Sequence, residues 1–183
     1  MLQKLAIGCF ALVALALLGV AVVLVLAANG AKEFRIERHV EIRATPAEVF
    51  AVLSDLHRYR DWAVDDAHRS TTLVSVGEIA SGVGATVEWR DELKGESGKL
   101  EVIEFRASEF MAARIATLQP QLAVIRAEWL LTASPTGTRV SWTITGPTRF
   151  PLRVIKVFWN PDDMIGAGLE RRLGALRTVV ETH

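Results

Sequence analysis

The last stretch of the chain, Pro161 to Thr182, most limits what the rest can fold into. It carries the marks of a helix. Asn160 is a suitable N-cap, Pro161 fits the first helical position, and Asp162 and Asp163 suit the positive end of the helix dipole. At helical period one arc gathers Met164, Ile165, Leu169, Leu173, Ala175, Leu176, Val179 and Val180. The opposite arc gathers Glu170, Arg171, Gly174, Arg177, Thr178 and Glu181. One residue breaks the pattern: Arg172 falls near the middle of the apolar arc, where a charge is costly unless it is paired or reaches water.

What precedes this helix reads mostly as strand. Phe34 to Arg43 alternates, with Phe34, Ile36, Val40 and Ile42 on one face, and Arg38 as a charge on that same face. Thr45, Pro46 and Glu48 form a capping box that starts a short helix burying Val49, Phe50 and Leu53, and a second helical piece carries Tyr59 and Trp62. Strands are then expected at Thr71–Val76, Thr86–Asp91, Lys99–Arg106, Phe110–Leu118, Leu122–Thr132 and Thr138–Thr145. The turns between them fall at Lys94–Gly98, Ala107–Glu109, Gln119–Gln121 and Ser134–Gly137, while Val76–Gly84, with three glycines, reads as a mobile loop. Pro151–Trp159 is an apolar connector of one or two helical turns. A sequential antiparallel sheet has to cover its apolar face, and the C-terminal helix is the only long element available to do so.

Composition bears mainly on the N-terminus. Half the residues are hydrophobic, and the excess is local: Leu5 to Ala28 is 24 residues without a charge. At ~1.5 Å per residue such a helix spans roughly 36 Å, enough to cross a hydrocarbon core of ~30 Å. A cleaved signal peptide, with Ala28-Asn29-Gly30 as a cleavage site, is the alternative, although its apolar core is usually about 7–15 residues. The expected organisation is an anchor over residues 1–31 and one domain over residues 32–183, placed at a bacterial cytoplasmic membrane as a single-pass protein. Basic residues on both sides of the run leave the orientation open. The single cysteine, Cys9, lies inside the run, so the domain cannot form an internal disulfide. With Lys4 set aside, 20 basic residues face 21 acidic ones, which argues against nucleic acid as a partner.

Residues 34–181 resemble the SRPBCC superfamily, which includes START-like lipid-transfer domains and polyketide cyclase/dehydrase-like proteins. The resemblance rests on Ile42, Pro46, Val49, Phe50, Asp55, Tyr59 and Trp62, on Gly137-Thr138-Arg139-Val140-Ser141-Trp142, and on Ile165-Gly166 with Leu169-Glu170, Leu173 and Leu176-Arg177. It implies an α+β helix-grip fold: a curved antiparallel sheet of six to seven strands around the last helix, with a hydrophobic cavity between them. Members of that superfamily commonly have Gly where Arg172 stands, so here the cavity wall is expected to carry a charge.

Each candidate site residue has a plainer reading beside the functional one. Trp89, Trp129 and Trp142 share inner strand faces, as core or as the lining of an aromatic pocket. Trp62 and Trp159 could stand at a cavity mouth or at a membrane interface. Met164 belongs to the apolar arc that would face the ligand. Arg38 and Arg172 either pair with a strand carboxylate such as Glu104 or Asp91, or bind an anionic head group. His57, Asp61, Asp65, Asp66 and His68 match no metal-ligand spacing and read as a solvated loop. The Val76–Gly84 loop is either a gate to the cavity or a plain glycine-rich turn. Among the helix glycines Gly166, Gly168 and Gly174, the one near the buried arc, Gly168, is the one expected to leave room for a ligand or for close sheet contact. No nucleophile elbow, phosphate loop or dinucleotide fingerprint is present, so neither a cofactor nor a catalytic residue is assigned.

These readings point to a membrane-anchored binding module for a hydrophobic small molecule or lipid. A polyketide cyclase/dehydrase-like enzyme and an envelope-stress or protein-interaction module are the alternatives. Oligomeric state is left open.

Overall fold

The computed structural model describes residues 33–119, 123–148 and 161–182, together with residues 18, 19, 21 and 22; of Pro161 and Met164 it describes the backbone alone. Phe34–Pro147 and Asp162–His183 form one compact unit, while Met1–Glu33 and Thr148–Pro161 belong to a second. Of the apolar run, only Leu18, Gly19, Ala21 and Val22 are described, and all four are helical. Among the described residues no helix is long and apolar enough to cross a membrane. The rest of the expected anchor, the Asn160 cap, the Pro151–Trp159 connector with Trp159, and the Met164 side chain lie outside the described residues.

The chain runs β1 (Glu33–Ile42), α1 (Pro46–Ser54), a 3-10 turn (Leu56–Arg58), α2 (Tyr59–Ala63) and a second 3-10 turn (Asp66–His68). Six strands follow, β2 (Thr72–Val76), β3 (Thr86–Asp91), β4 (Glu96–Arg106), β5 (Phe110–Gln119), β6 (Ala123–Ser134) and β7 (Gly137–Pro147), and then α3 (Pro161–Glu181). The seven strands form one sheet in the order β1-β7-β6-β5-β4-β3-β2. Strands β2 to β7 are an antiparallel meander, and β1 closes onto β7, with Phe34 against Gly146 and Ile42 against Gly137. The curved sheet and its C-terminal helix make the helix-grip α+β fold.

Local chemistry accounts for the element ends. At α1 both halves of the capping box are made: the Thr45 amide donates to Glu48 Oε2 at 2.8 Å and the Glu48 amide donates to Thr45 Oγ1 at 3.4 Å. Strand β4 begins three residues before the expected Lys99. The reason is Asp91, whose Oδ1 accepts from the amides of Leu93 and Lys94 at 2.9 and 3.1 Å, tightening the turn so that Gly95, at φ 66°, closes it. A register shift between Val102 and Glu104 gives β4 an extra residue. It changes the phase of the strand, so that Leu100 and Val102 before it and Phe105 after it all pack on the core, Phe105 edge-on to Phe50 at 5.0 Å.

The apolar arc of α3 supplies Leu169, Leu173, Leu176 and Val180 to that core, all of them buried. Cross-strand rows receive them: Val102, Ala113, Ala127 and Ile144 lie in register on four neighbouring strands, and Met111, Trp129 and Trp142 on three. Burial of this kind is worth about 1.5–3 kcal/mol per large side chain and supplies most of the grip.

Arg38 completes it. Its Nε donates to Glu170 at 2.7 Å, its Nη2 to Asp162 at 2.8 Å and its Nη1 to the Glu37 carbonyl at 2.9 Å. The expected strand partners are otherwise engaged, Glu104 with Arg126 and Asp91 with His68. A β1 residue pointing to the helix side of the sheet finds its carboxylates on the helix, not on the strands expected to supply them. Gly166 makes the contact geometrically feasible, since a Cβ there would stand 2.1 Å from Arg38 Nη2. Gly166 is therefore the glycine that serves close approach. Around Gly168 the nearest atoms, on Arg171 and Arg172, are 4.0 Å away. At the other end of α3, Glu181 accepts from the Arg43 amide at 2.9 Å and its guanidinium at 3.2 Å, so β1 holds the helix at both ends.

Two expectations follow. Leu176→Ala empties a site in the grip and should lower unfolding free energy by about 2–5 kcal/mol in denaturant titration, whereas Arg177→Ala on the exposed arc should change it by less than about 0.5 kcal/mol. The second concerns acid. The hydrogen bond from Arg38, against the opposing effect of burial, holds the Asp162 carboxyl below its ordinary 3.8. A depressed carboxyl contributes stability that is present above its unfolded pKa and is lost as pH falls through the folded one. Arg38→Met should therefore flatten the dependence of stability on pH below about 4, seen in melts across that range.

Candidate functional site

A cavity of about 260 Å³ lies between the sheet, α2 and α3. Its floor is the inner face of β3 to β7: Trp89, Ile115, Thr117, Ile125, Trp142 and Ile144. Tyr59 and Ala63 of α2 and Arg172 of α3 form the opposite wall. A second, outer cavity of about 590 Å³ is lined by Trp62, Ala175, Thr178 and Arg171. The two share Val64, Asp65, His68, Lys94 and Arg172, so Arg172 stands where they adjoin.

The aromatic wall is built by register and by one glycine. Trp129 and Trp142 are directly opposed on β6 and β7, their ring centroids 5.1 Å apart. Trp62 meets both edge-on, at 6.3 and 6.0 Å, and meets Tyr59 at 5.5 Å. Trp89 is stacked with Tyr59 at 6.2 Å on one side and lies over Gly98 on the other, where an added Cβ would come within 2.2 Å of the indole. The indole Nε1 atoms of Trp62, Trp129 and Trp142 are buried with no hydrogen-bond partner among the described residues. Each is a donor without an acceptor, a costly arrangement unless a ligand or water supplies one.

Of the residues singled out from sequence, Trp89, Trp142 and Arg172 line the inner cavity, and Trp62 and Arg172 the outer one. Trp129 is wholly buried behind them as core. Trp62, only 2% exposed, is a wall of the site, not a residue standing in a membrane interface. Arg38 lines neither cavity. The Val76–Gly84 loop does not gate the site: it is pinned by hydrogen bonds from Leu56 N to Ala80 O and from Gly84 N to Val102 O, both 2.9 Å, and none of its residues lines either cavity.

Arg172 reaches the site in an unusual state. Its Nε donates to the Ala63 carbonyl at 2.8 Å, which orients the guanidinium. No carboxylate pairs with it among the described residues, whereas its neighbour Arg171 is within 3.5 Å of Asp65. The charge is felt at Tyr59, whose phenol is pushed up by burial and pulled partly back by Arg172. Tyr59 thus remains a protonated donor on the same wall.

Three residues of the site escaped the sequence reading. Tyr59 was visible only as part of the family pattern. Asp91 follows Val87 and Trp89 at alternate positions and so points inward, a signal available in the sequence. His68, placed in a solvated loop, folds back so that Nδ1 is 3.4 Å from Asp91 Oδ2, without the alignment of a hydrogen bond. Burial would raise the Asp91 carboxyl. The amides of Lys94 and Leu93, the His68 charge and the Thr71 hydroxyl outweigh it and hold the carboxyl below the usual range. The carboxylate is therefore already well supplied with donors. Among the described residues no cluster of His, Cys, Asp and Glu could hold a metal ion.

Similar architectures occur among solved structures. A Rhizobium leguminosarum protein superposes with a TM-score of 0.62 at 14% identity, covering 84% of this chain and 98% of that one. A Chromobacterium violaceum protein superposes with a TM-score of 0.61 at 16% identity, covering 80% and 97%. A protein from the dynemicin biosynthetic locus reaches a TM-score of 0.57 at 19% identity, covering 81% of this chain and 47% of that one. At such identities the likeness concerns the fold. No curated protein sequence matches this chain. The family profile described as polyketide cyclase / dehydrase and lipid transport matches residues 33–181, nearly the whole of the sheet and both ends of its helix. With its helix-grip fold and aromatic-walled cavity, the chain belongs to the polyketide cyclase / dehydrase and lipid transport family.

Proposed function

We propose that this protein is a binding module for a hydrophobic small molecule or single-chain lipid, held at a membrane by residues 5–28. The observation that carries the reading is the inner cavity, floored by Trp89, Trp142 and three isoleucines and left unfilled by the protein's own side chains. Wells of this kind draw apolar matter from water at ~25 cal/mol per Å² buried, while a few polar groups set orientation. A bilayer is where such ligands are concentrated, which gives the charge-free N-terminal run a purpose. Its domain, residues 32–183, would work beside the bilayer with no nucleic-acid partner.

A second reading rests on one observation, the His68–Asp91 pair at the cavity mouth. An imidazole beside a carboxylate is a candidate acid/base group, as an enzyme of the cyclase or dehydrase kind would need. Substrate turnover abolished by His68→Asn would favour that reading over a carrier.

The binding reading is tested with the full chain in nanodiscs and a neutral probe, phenylnaphthylamine, read by energy transfer from the buried indoles. Ile115→Trp places a large ring in the cavity and should weaken binding tenfold or more. Leu130→Trp, at a position 45% exposed, should leave it unchanged. Equal binding by both variants would remove the cavity from the account.

A further inference from the structure

The site's polar groups are unevenly distributed, and the imbalance points to a ligand class. On the inner wall the charged group without a counter-ion is a donor. Arg172 uses Nε on the Ala63 carbonyl and has no carboxylate partner among the described residues. The indole of Trp142 lines the same cavity with its ring, its N–H being itself buried. The acidic residues nearby are either engaged or peripheral. Asp65 faces Arg171 at 3.5 Å, Asp91 accepts two backbone amides, and Glu96 is exposed at the rim. A ligand that completes this wall brings acceptors, and next to a half-buried guanidinium it brings negative charge.

We propose that the physiological ligand is an amphipathic carboxylic acid, its hydrophobic body between Trp89 and Trp142 and its carboxylate on the free guanidinium nitrogens of Arg172. This rests on the binding reading above and names the ligand class of that same site. A monoanion is favoured over a phosphate because the second cation at the cavity, Lys94, is exposed to water and stands among the carboxylates of Asp65, Asp91 and Glu96. A planar carboxylate also matches the two-pronged guanidinium. The small inner volume excludes a two-chain phospholipid from the pocket floor. The Nε–Ala63 bond has the character of a positioning contact, since it fixes the plane of the guanidinium and leaves its outer edge for the ligand.

The test compares naphthoate, naphthylmethanol and naphthyl phosphate on the full chain in nanodiscs, by titration calorimetry. Wild type should bind naphthoate at least tenfold more tightly than the alcohol, and more tightly than the phosphate. Arg172→Gln should abolish the preference for the acid while binding the alcohol as wild type does. Arg172→Lys should retain part of the preference, and Arg177→Gln, on the exposed arc of the helix, all of it. Thermal melts of each variant establish that it is folded. Equal affinity of wild type for acid and alcohol, or a preference that survives Arg172→Gln, overturns the proposal and leaves the hydrophobic module standing. Tighter binding of the phosphate overturns the carboxylate assignment. Failure of wild type to bind any of the three overturns the binding reading and this proposal with it.

Discussion

A positive charge placed on an apolar surface has to be met by something, and the fold depends on how that demand is satisfied at Arg38. Its guanidinium spans the gap between the first strand and the last helix and takes carboxylates from two turns of that helix, Asp162 and Glu170. Gly166 leaves the helix flat enough for the guanidinium to lie against it. The apolar arc supplies most of the free energy of docking, but an apolar stripe can slide or rotate. The ion pairs at Arg38 and Arg43, near opposite ends of the helix, fix its position along β1. That fixed position is what turns Arg172 toward the cavity.

Arg172 poses the same problem with a different outcome. It too lies on an apolar face, yet among the described residues it finds only a backbone carbonyl. The difference follows from surroundings. Around Arg38 the helix offers Asp162 in its first turn, where it also favours the helix dipole, and Glu170 two turns further on. Around Arg172 stand indoles, isoleucines and a tyrosine, and the nearby carboxylates are taken, Asp65 by Arg171 and Asp91 by backbone amides. Arg172 makes one charged donor on a wall that faces an apolar floor. Such a wall is poorly suited to being merely core, since each unpartnered donor there works against stability. It suits a ligand with an apolar body and an anionic end.

How much of this could be read from the chain follows physical lines. Periodicity is a local property, so the helix at 161–181, the capping box at Thr45 and the alternating strands were legible, and the inward tryptophans with them. Two kinds of feature were not. Ion-pair partners are set by tertiary approach, so the sequence offered Glu104 and Asp91 to Arg38 where the fold supplies Asp162 and Glu170. Loops are read by composition alone, so three glycines suggested a gate at 76–84, whereas backbone hydrogen bonds to Leu56 and Val102 tie that loop down. The polar stretch around His68 was placed in solvent for the same reason, although it folds back to the cavity mouth. The distinction between Trp129 as core and Trp142 as wall turns on which side of a cross-strand pair the cavity opens, and no local pattern carries that.

The central claim is that the cavity holds a hydrophobic acid anchored by Arg172. Native mass spectrometry of the full chain, purified in detergent from the cells in which it is made, tests it most directly. The account requires an adduct whose mass and fragmentation are those of a hydrophobic carboxylic acid on the wild-type protein, and its disappearance from Arg172→Gln. A wild-type chain recovered bare, or carrying a neutral lipid that Arg172→Gln carries equally, would contradict it.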